Sequence, residues 1–449
     1  MDDSFFRCHD ELFYVDDEDV EHSETDEYGA VYYDCRLLYF KEDAGPICVI
    51  REGTKVICHW AFRNYNRKLQ KIVIPESMVA IDRTAFSYCQ GVEVINHSKY
   101  FRIVDNMLID KYEHIIIGYF GLDDEVVIPK TVKSIENAFL HSGIRKITIP
   151  HSIKRTYSFS MCENLQTVVL PDNLVEISGY AFNECQMLQD ITIPDSVKII
   201  GDKAFAGCRS LREIDIPASV RKIGENPFTM SRHLAFHQLR EWYCKGSNGR
   251  DPIVRYEIKV TSQSERFVVL DDMLIDTKEK RLIGYYGNAE CVAIPDGITV
   301  IGDNAFAYTK IRQVTIPDSV TKIGRDAFVN TQLQEVFIPD SVNEIGHTAF
   351  AACFSLKKVR LPKSLEEIEM VTFALCDKLQ EINIPDSILA IGDGAFLWCK
   401  SLRQFNIPAS TLRIGDRVFE HCDAITLTSS STKFCIENNK PINVWHKKI

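Results

Sequence analysis

The sequence lacks any long apolar run. Its 449 residues contain nothing that approaches the ~18 consecutive apolar residues of a transmembrane helix, so we predict no membrane span. The amino terminus, MDDSFFRCHDELFYVDDEDV, has neither a basic start nor an apolar stretch and does not resemble a secretory signal. We therefore expect a cytoplasmic protein. A cell-surface or secreted protein is the alternative, if an export signal is missing from this sequence or is unconventional.

Motifs for catalysis and metal binding are also missing. The chain has no G-x-S-x-G, Walker A, H-E-x-x-H, G-x-G-x-x-G or EF-hand sequence. No two cysteines form a C-x-x-C pair, and the 12 histidines have no paired spacing. We expect no catalytic residue, no cofactor and no metal, and hence a protein that is not an enzyme.

The chain carries more acidic than basic side chains. Its formal net charge is −11, and residues 1–30 account for all of it, because they hold many acidic side chains and a single base, Arg7. The remaining residues are formally neutral, so no basic face for nucleic acid is predicted. The acidic segment itself fits either a solvated, mobile end or a docking motif for a basic partner.

What the sequence does contain is a repeat of 21 to 23 residues. Two of its clearest copies are IPDSVKIIGDKAFAGCRSL (Ile193–Leu211) and IPDSILAIGDGAFLWCKSL (Ile384–Leu402). A fixed period of this length predicts a solenoid, in which each coil buries its apolar face against its neighbours. Prolines that follow Ile or Leu mark the coils at Pro75, Pro129, Pro150, Pro171, Pro194, Pro217, Pro295, Pro317, Pro339, Pro362, Pro385 and Pro408.

One coil predicts two strands. The alternation at Ile191–Ile193 indicates a short strand, which the following proline ends because it has no N–H to donate. Val197 and Ile200 predict a shorter strand on the opposite side. The glycine after it is expected to allow a positive φ at a corner. This glycine recurs as Gly201, Gly224, Gly302, Gly324, Gly346, Gly392 and Gly415.

The cysteines and phenylalanines follow the same period, so we interpret both as scaffold. Seven cysteines lie 23 residues apart and predict a column of small buried thiols and not disulfides, since their Cβ vectors would point side by side. Such free thiols fit a reducing compartment. An Ala-Phe pair in most coils predicts an internal aromatic stack. The spaced cysteines are Cys162, Cys185 and Cys208, and then Cys353, Cys376, Cys399 and Cys422.

The pattern I-P-x-S-V-x-x-I-G-x-x-A-F-x-x-C-x-x-L resembles the BspA-type leucine-rich repeat, which also occurs in treponemal leucine-rich-repeat proteins. The resemblance covers roughly residues 45–425. It implies a leucine-rich-repeat solenoid, a β-rich curved superhelix with parallel strands lining one side. It also implies a binding role, since members of the family are often surface or secreted adhesins of host-associated microbes. The absence of a signal and an anchor in this sequence departs from the secreted members.

A longer duplication overlies the short repeat. Phe101–Gly121 matches Phe267–Gly287 at an offset of 166, and each segment predicts a β-hairpin insertion that protrudes or bends the array. Tyr33–Phe40 resembles a degenerate third copy. Each hairpin carries an aromatic pair before a glycine, and both hairpin packing and exposed contact with a partner remain open for these pairs.

These features divide the chain into five segments. We predict an acidic amino-terminal segment and cap (1–45), a first repeat block (46–234), an insertion (235–257), a second block opened by a hairpin (258–425) and a carboxyl-terminal cap (426–449). The insertion contains Trp242 and Tyr243, residue types that are frequent in interfaces. It fits either a binding loop or a tolerated insertion.

A candidate binding site comes from the residue two before each proline, which faces outward and varies. There Phe337 and Arg360 resemble a small hot spot, and Asn383 and Asn406 extend it. The alternative is an ordinary solvated sheet surface. We therefore predict a non-enzymatic scaffold that binds a protein partner through the concave sheet, through the Trp242–Tyr243 insertion, or through both. A surface adhesin is the second hypothesis, and neither the partner nor the oligomeric state is indicated.

Overall fold

The computed structural model describes residues 10–62, 68–157, 159–228, 258–437 and 440–443. The chain divides into two compact units, Met1–Phe228 and Thr229–Ile449. The predicted insertion at 235–257 lies outside the described residues. The five segments expected from the sequence therefore remain a prediction.

The first unit contains a 3₁₀ helix at Asp10–Phe13, one α-helix and 19 strands among its described residues. The helix α1 spans Asp17–Glu21. The strands are β1 (Glu24–Thr25), β2 (Ala30–Tyr33), β3 (Arg36–Phe40), β4 (Ile47–Val49), β5 (Val56–Ile57), β6 (Lys71–Ile74), β7 (Ala80–Ile81), β8 (Glu93–Asn96), β9 (Phe101–Val104), β10 (Met107–Asp110), β11 (Ile116–Tyr119), β12 (Glu125–Val127), β13 (Lys146–Thr148), β14 (Arg155–Thr156), β15 (Thr167–Val169), β16 (Glu176–Ile177), β17 (Ile199–Ile200), β18 (Glu213–Ile216) and β19 (Lys222–Ile223).

The described part of the second unit consists of strands and turns. Its strands are β20 (Lys259–Ser262), β21 (Phe267–Leu270), β22 (Met273–Asp276), β23 (Arg281–Tyr285), β24 (Cys291–Ala293), β25 (Val300–Ile301), β26 (Gln313–Thr315), β27 (Lys322–Ile323), β28 (Glu335–Phe337), β29 (Glu344–Ile345), β30 (Lys358–Arg360), β31 (Glu367–Ile368), β32 (Glu381–Asn383), β33 (Ala390–Ile391), β34 (Gln404–Ile407), β35 (Arg413–Ile414), β36 (Thr426–Ser429), β37 (Phe434–Glu437) and β38 (Lys440–Asn443).

Most coils contribute one strand to each of two walls, and within each wall neighbouring strands pair in parallel. This confirms the predicted solenoid. The proline-side wall consists of the strands that precede the prolines, such as β28, β30 and β32. The glycine-side wall consists of the two-residue strands that precede the glycines, such as β27 and β29. Inward side chains from both walls form the core. Two coils are exceptions. The strand predicted at Ile191–Ile193 is replaced by an isolated parallel bridge between Thr167 and Asp190, and on the glycine side another coil makes only the bridge between Ile115 and Ser134.

In most coils a Pro-x-Ser sequence forms the turn that follows the proline-side strand. In one coil the N–H of Val197 donates to the carbonyl of Pro194 at 3.0 Å and closes the turn. The hydroxyl of Ser196 donates to the carbonyl of Leu174, in the preceding coil, at 2.6 Å. The serine thus ties one coil to the next, which explains why it repeats with the proline.

The two hairpins of the longer duplication are confirmed as strands, but they do not protrude. Each belongs to a three-stranded antiparallel sheet that precedes a run of coils and is called an opener here. The two openers are β9-β10-β11 and β21-β22-β23, and the first strand of each was not predicted. Strand β23 continues directly into the glycine-side wall by parallel pairing with β25. The aromatic pairs Tyr119–Phe120 and Tyr285–Tyr286 are buried, so hairpin packing is their role and the exposed-contact alternative is wrong.

A third opener lies at the start of the first unit, as the sequence around Tyr33–Phe40 indicated. Strands β1, β2 and β3 form an antiparallel sheet, and β3 pairs in parallel with β5. The acidic segment packs against it from Asp10 onward: Leu12 and Phe13 contact its apolar cluster, and the buried Asp19 pairs with Arg36. From Asp10 onward, the acidic segment is therefore folded against this opener.

The repeated glycine is explained by close approach between coils, and the expected positive φ was wrong. A Cβ on Gly346 would lie 2.7 Å from the backbone nitrogen of Arg325, in the preceding coil. Among the described glycines, positive φ occurs elsewhere, at Gly207 and Gly394 for example. Only glycine allows the two coil backbones to lie this close.

Most of the coil positions with a left-handed backbone conformation, that is, with positive φ, are occupied by residues other than glycine. One corner precedes the Ala-Phe pair and another precedes the cysteine position, as at Thr348 and Ala352 with φ of 57° and 56°. Such a conformation costs about 1–2 kcal/mol for a residue with a Cβ. The N–H of Ala352 donates to Ala374 in the next coil at 2.8 Å, and bonds of this kind offset the cost.

The cysteine column is confirmed, and each thiol has a repeated partner. Cys185 donates to the carbonyl of Phe159 at 2.9 Å, and Cys376 donates to Phe350 at 3.2 Å. The acceptor is the core phenylalanine of the preceding coil, so the thiol satisfies a carbonyl that faces the interior. The described cysteines are all free.

We expect the column thiols to resist alkylation in the folded protein. Burial raises the pKa of Cys162 to about 12 and that of Cys353 to about 11, which leaves little thiolate at pH 8. Cys291, by contrast, is exposed. Iodoacetamide at pH 8, followed by peptide mass spectrometry, should label Cys291 at least about a hundredfold faster than Cys162 or Cys353. Comparable rates, or a disulfide between column cysteines, would contradict the packed column.

Candidate interaction surface

The predicted binding residues Phe337 and Arg360 lie side by side on the outer face of the proline-side wall. They occupy β28 and β30, in direct register, while their neighbours Val336 and Val359 point into the core. The guanidinium carbon of Arg360 lies 4.8 Å from the centre of the Phe337 ring. At an exposed site this cation–π contact is worth about 0.5–1 kcal/mol.

Phe337 places a large aromatic ring at an outward position, where 62% of the residue is exposed. Arg360 also pairs with Asp340, its Nη2 lying 3.3 Å from the carboxylate Oδ2. Beside this pair, Lys358 contacts Glu381 at 3.0 Å, and the hydrogen bond to Glu381 raises the pKa of Lys358. The face is therefore an aromatic ring surrounded by a network of opposite charges, held on rigid strands.

The two asparagines of the prediction have structural partners. Asn383 is in register with Arg360 on β32, and its amide accepts from the N–H of Leu361 at 2.7 Å and donates to the Leu361 carbonyl at 3.3 Å. Asn406 lies on β34, which pairs with β36, and its amide contacts Thr428 at 3.1 Å. Both amides therefore stabilise neighbouring coils in this structure.

The remaining predicted residues, Trp242 and Tyr243, lie outside the described residues. Asp340, which sequence reasoning missed, follows Pro339 directly and holds Arg360 over the ring. The sequence could have indicated Asp340, because the residue after the proline begins the turn and lies next to the outward residues of the following proline-side strand. The structure thus joins Phe337, Arg360 and Asp340 into one group, defined here as the Phe337 face.

Two further features of the described residues concern metal binding and membrane crossing. Within residues 10–62, 68–157, 159–228, 258–437 and 440–443, no group of three or more His, Cys, Asp or Glu side chains could hold a metal ion. Across the same ranges no helix has the length and apolar character needed to cross a membrane.

The stacked coils with two parallel walls define a β-solenoid of the leucine-rich repeat class. A family model described as "BspA type Leucine rich repeat region" matches residues 40–118, 123–235 and 287–434 with 6 copies. The match covers most of the chain, which therefore belongs to the BspA-type leucine-rich repeat family. This confirms the resemblance on which the sequence reading relied.

One solved structure with the same fold and two with lower scores are similar to this chain. A leucine-rich repeat protein from Eubacterium ventriosum superposes with a TM-score of 0.57 at 20% identity, covering 77% of this chain and 98% of its own. A leucine rich cell surface protein from Faecalibacterium prausnitzii gives 0.46 at 21% identity, with 94% and 95% covered. The T. pallidum leucine-rich repeat protein gives 0.29 at 20% identity, with 57% and 88% covered. No curated protein matches the sequence.

Proposed function

We propose that the chain is a non-enzymatic scaffold that binds a protein partner through the Phe337 face. The observation that carries the proposal is the exposed ring of Phe337 on a wall that otherwise presents mainly small or charged side chains beside it. Aromatic and arginine side chains dominate the energetics of protein interfaces, and here they are already in contact.

Preorganisation supports the proposal further. Arg360 is held by both Phe337 and Asp340, so little side-chain entropy remains to be lost when a partner covers it. The Lys358–Glu381 pair beside it supplies a polar rim. The insertion with Trp242 and Tyr243 remains a second proposed contact region.

Replacing Phe337 with alanine should weaken partner capture by at least about 30-fold, because the ring is the single large apolar surface of the face. Stability should fall by no more than about 1 kcal/mol, since the side chain is mostly solvated and its contact with Arg360 is worth about 0.5–1 kcal/mol. The measurement compares proteins captured from native cells by the wild-type chain and by Phe337→Ala, with quantitative mass spectrometry.

Val127→Ala is the matched control, because Val127 holds the equivalent outward position in the first unit and is 67% exposed. It should leave the captured proteins unchanged. Equal capture by Phe337→Ala and the wild type would remove this face from consideration.

For the compartment we propose the cytoplasm, with display at the cell surface as the alternative. Protease treatment of intact native cells decides between them. An adhesin would be cleaved from outside, whereas a cytoplasmic scaffold would stay intact until the cells are lysed. Cleavage in intact cells would replace the scaffold proposal with the adhesin.

A further inference from the structure

Part of the glycine-side wall of the first unit is basic. It is formed by β14, β16, β17 and β19, which pair in parallel, together with the residue before each strand. The sequence did not indicate it, because acidic and basic residues balance beyond residue 30. The outward positions hold five cations and one carboxylate, defined here as the basic face: Lys154, Arg155, Glu176, Lys198, Arg221 and Lys222.

Backbone hydrogen bonds hold the residues of the basic face in register. The N–H of Val175 donates to the carbonyl of Lys154, and the N–H of Lys198 donates to the carbonyl of Val175, both at 2.8 Å. Neighbouring strands of such a wall lie about 4.8 Å apart, so the spacing of the lysine backbones is fixed. Val175 lies between the two lysines and is 40% exposed. The face therefore has an apolar centre with cations around it.

Three lysines of the basic face, Lys154, Lys198 and Lys222, form no ion pair with the carboxylates of the described residues. The carboxylate of Glu176 lies beside Arg155, whose Nε is 3.3 Å from it. Like charges on neighbouring coils repel one another, so carboxylates from outside the chain would be attracted to this face.

The glycine-side wall of the second unit, from β25 to β35, differs in its charges. There Lys322 pairs with Glu344 and Arg413 pairs with Glu367, each at 2.6 Å. With Glu366, three carboxylates accompany two cations at the outward positions. This wall satisfies its cations within the chain, so the solenoid itself does not require a basic face.

The first unit also presents an exposed acidic surface, on helix α1. Asp17, Glu18 and Glu21 are exposed there, and Val20 beside them is 44% exposed. The helix is fixed in this orientation because the buried Asp19, on its other side, pairs with Arg36. Strand β7 and the β9-β10-β11 opener lie between this helix and the basic face along the chain. The helix therefore does not reach the basic face of its own copy.

From this complementarity we propose that the basic face binds helix α1 of a second copy of this chain. The carboxylates of Asp17 and Glu21 meet the lysines, and Val20 covers Val175. Both surfaces thus have an apolar side chain among charges of opposite sign. Because the contact joins two different surfaces, it is head-to-tail and can continue beyond a dimer. It lies in the first unit and does not depend on the Phe337 face.

The test measures the self-association of the full-length chain by sedimentation equilibrium. We expect a dissociation constant of about 10–500 µM at low salt, since exposed ion pairs each contribute little. Raising the salt concentration from about 0.05 to about 0.5 M should weaken the association at least about tenfold, because salt screens exposed charges.

Two charge-reversed variants test the two surfaces separately. The face variant replaces three lysines with glutamate, and the helix variant replaces three carboxylates with lysine. Each alone should associate at least about tenfold more weakly than the wild type, because both of its surfaces then carry charge of the same sign. An equimolar mixture should associate again, since each surface meets its opposite on the other variant. The substitutions are Lys154→Glu, Lys198→Glu and Lys222→Glu, and Asp17→Lys, Glu18→Lys and Glu21→Lys.

A control variant makes the same change in net charge as the face variant, but at exposed lysines of the second unit: Lys310→Glu, Lys378→Glu and Lys433→Glu. It should associate like the wild type. Unchanged association in either reversed variant, or no recovery in the mixture, would overturn the proposal. A wild-type chain that stays monomeric would also overturn it. If that monomer bound poly-L-glutamate, the basic face would be assigned to an acidic segment of another protein.

Discussion

Phe350→Ala should destabilise the protein by about 3–5 kcal/mol, one of the two largest losses we expect from a single substitution. Phe350 is fully buried and stacks between Phe328 at 5.1 Å and Phe373 at 5.5 Å, with ring planes within 8°. Removing the ring opens a cavity between three coils and ends two aromatic contacts, each worth about 0.5–1.5 kcal/mol beyond the buried area. Urea unfolding, followed by circular dichroism, measures the change in free energy of unfolding.

The effect should extend beyond stability, because a solenoid is held together by contacts between neighbouring coils. A cavity at Phe350 weakens one of these contacts, and unfolding of the variant should lose its single sharp transition. Phe337→Ala is the control, since it makes the same change at an exposed ring and should cost no more than about 1 kcal/mol. A loss below about 1 kcal/mol for Phe350→Ala would show that the column is not a packed core.

Much of this architecture could be predicted from the sequence, because the solenoid repeats its packing every coil. Phe182 and Cys185 recur in phase, and in a stack of equal coils a residue in phase must meet its own equivalents. The buried stack and the free thiols followed from that alone. The two hairpins were found for the same reason, as a repeat at a longer interval.

The errors arose where one residue type serves several physical purposes. Glycine allows a positive φ and also allows close backbone approach, and the repeated glycine sequence cannot distinguish the two. Paired aromatics such as Tyr285 and Tyr286 occur in cores and in interfaces, and only the three-dimensional structure shows that these are buried. Asn383 stays a predicted contact residue, and the sequence did not indicate that its amide also bonds to the backbone of Leu361. In each of these cases the role of the residue is decided by contacts with residues more than 20 positions away in the sequence.

The second large loss is expected for Gly346→Ala. The added Cβ would meet only backbone atoms of the preceding coil, at 2.7 Å from Arg325 nitrogen and 2.8 Å from Gly324 carbon. Those coils cannot move apart freely, because the N–H of Gly346 donates to Ile323 at 2.9 Å within the glycine-side wall. Relief of the clash must break that bond or shift a whole coil. We expect a loss of at least about 1–3 kcal/mol, the usual cost of overpacking a core.

Two other glycines separate the clash from the conformational effect of the substitution. At Gly297 a Cβ would meet no atom within 4 Å, but φ is +88°, so Gly297→Ala should cost about 1–2 kcal/mol from strain alone. Gly45 has neither a nearby atom nor a positive φ, and Gly45→Ala should stabilise by about 0.4–1 kcal/mol by restricting the unfolded chain. Urea unfolding of the three variants measures their free energies of unfolding and so ranks the three substitutions. If Gly346→Ala behaves like Gly45→Ala, close approach between coils is not what requires glycine in the repeat.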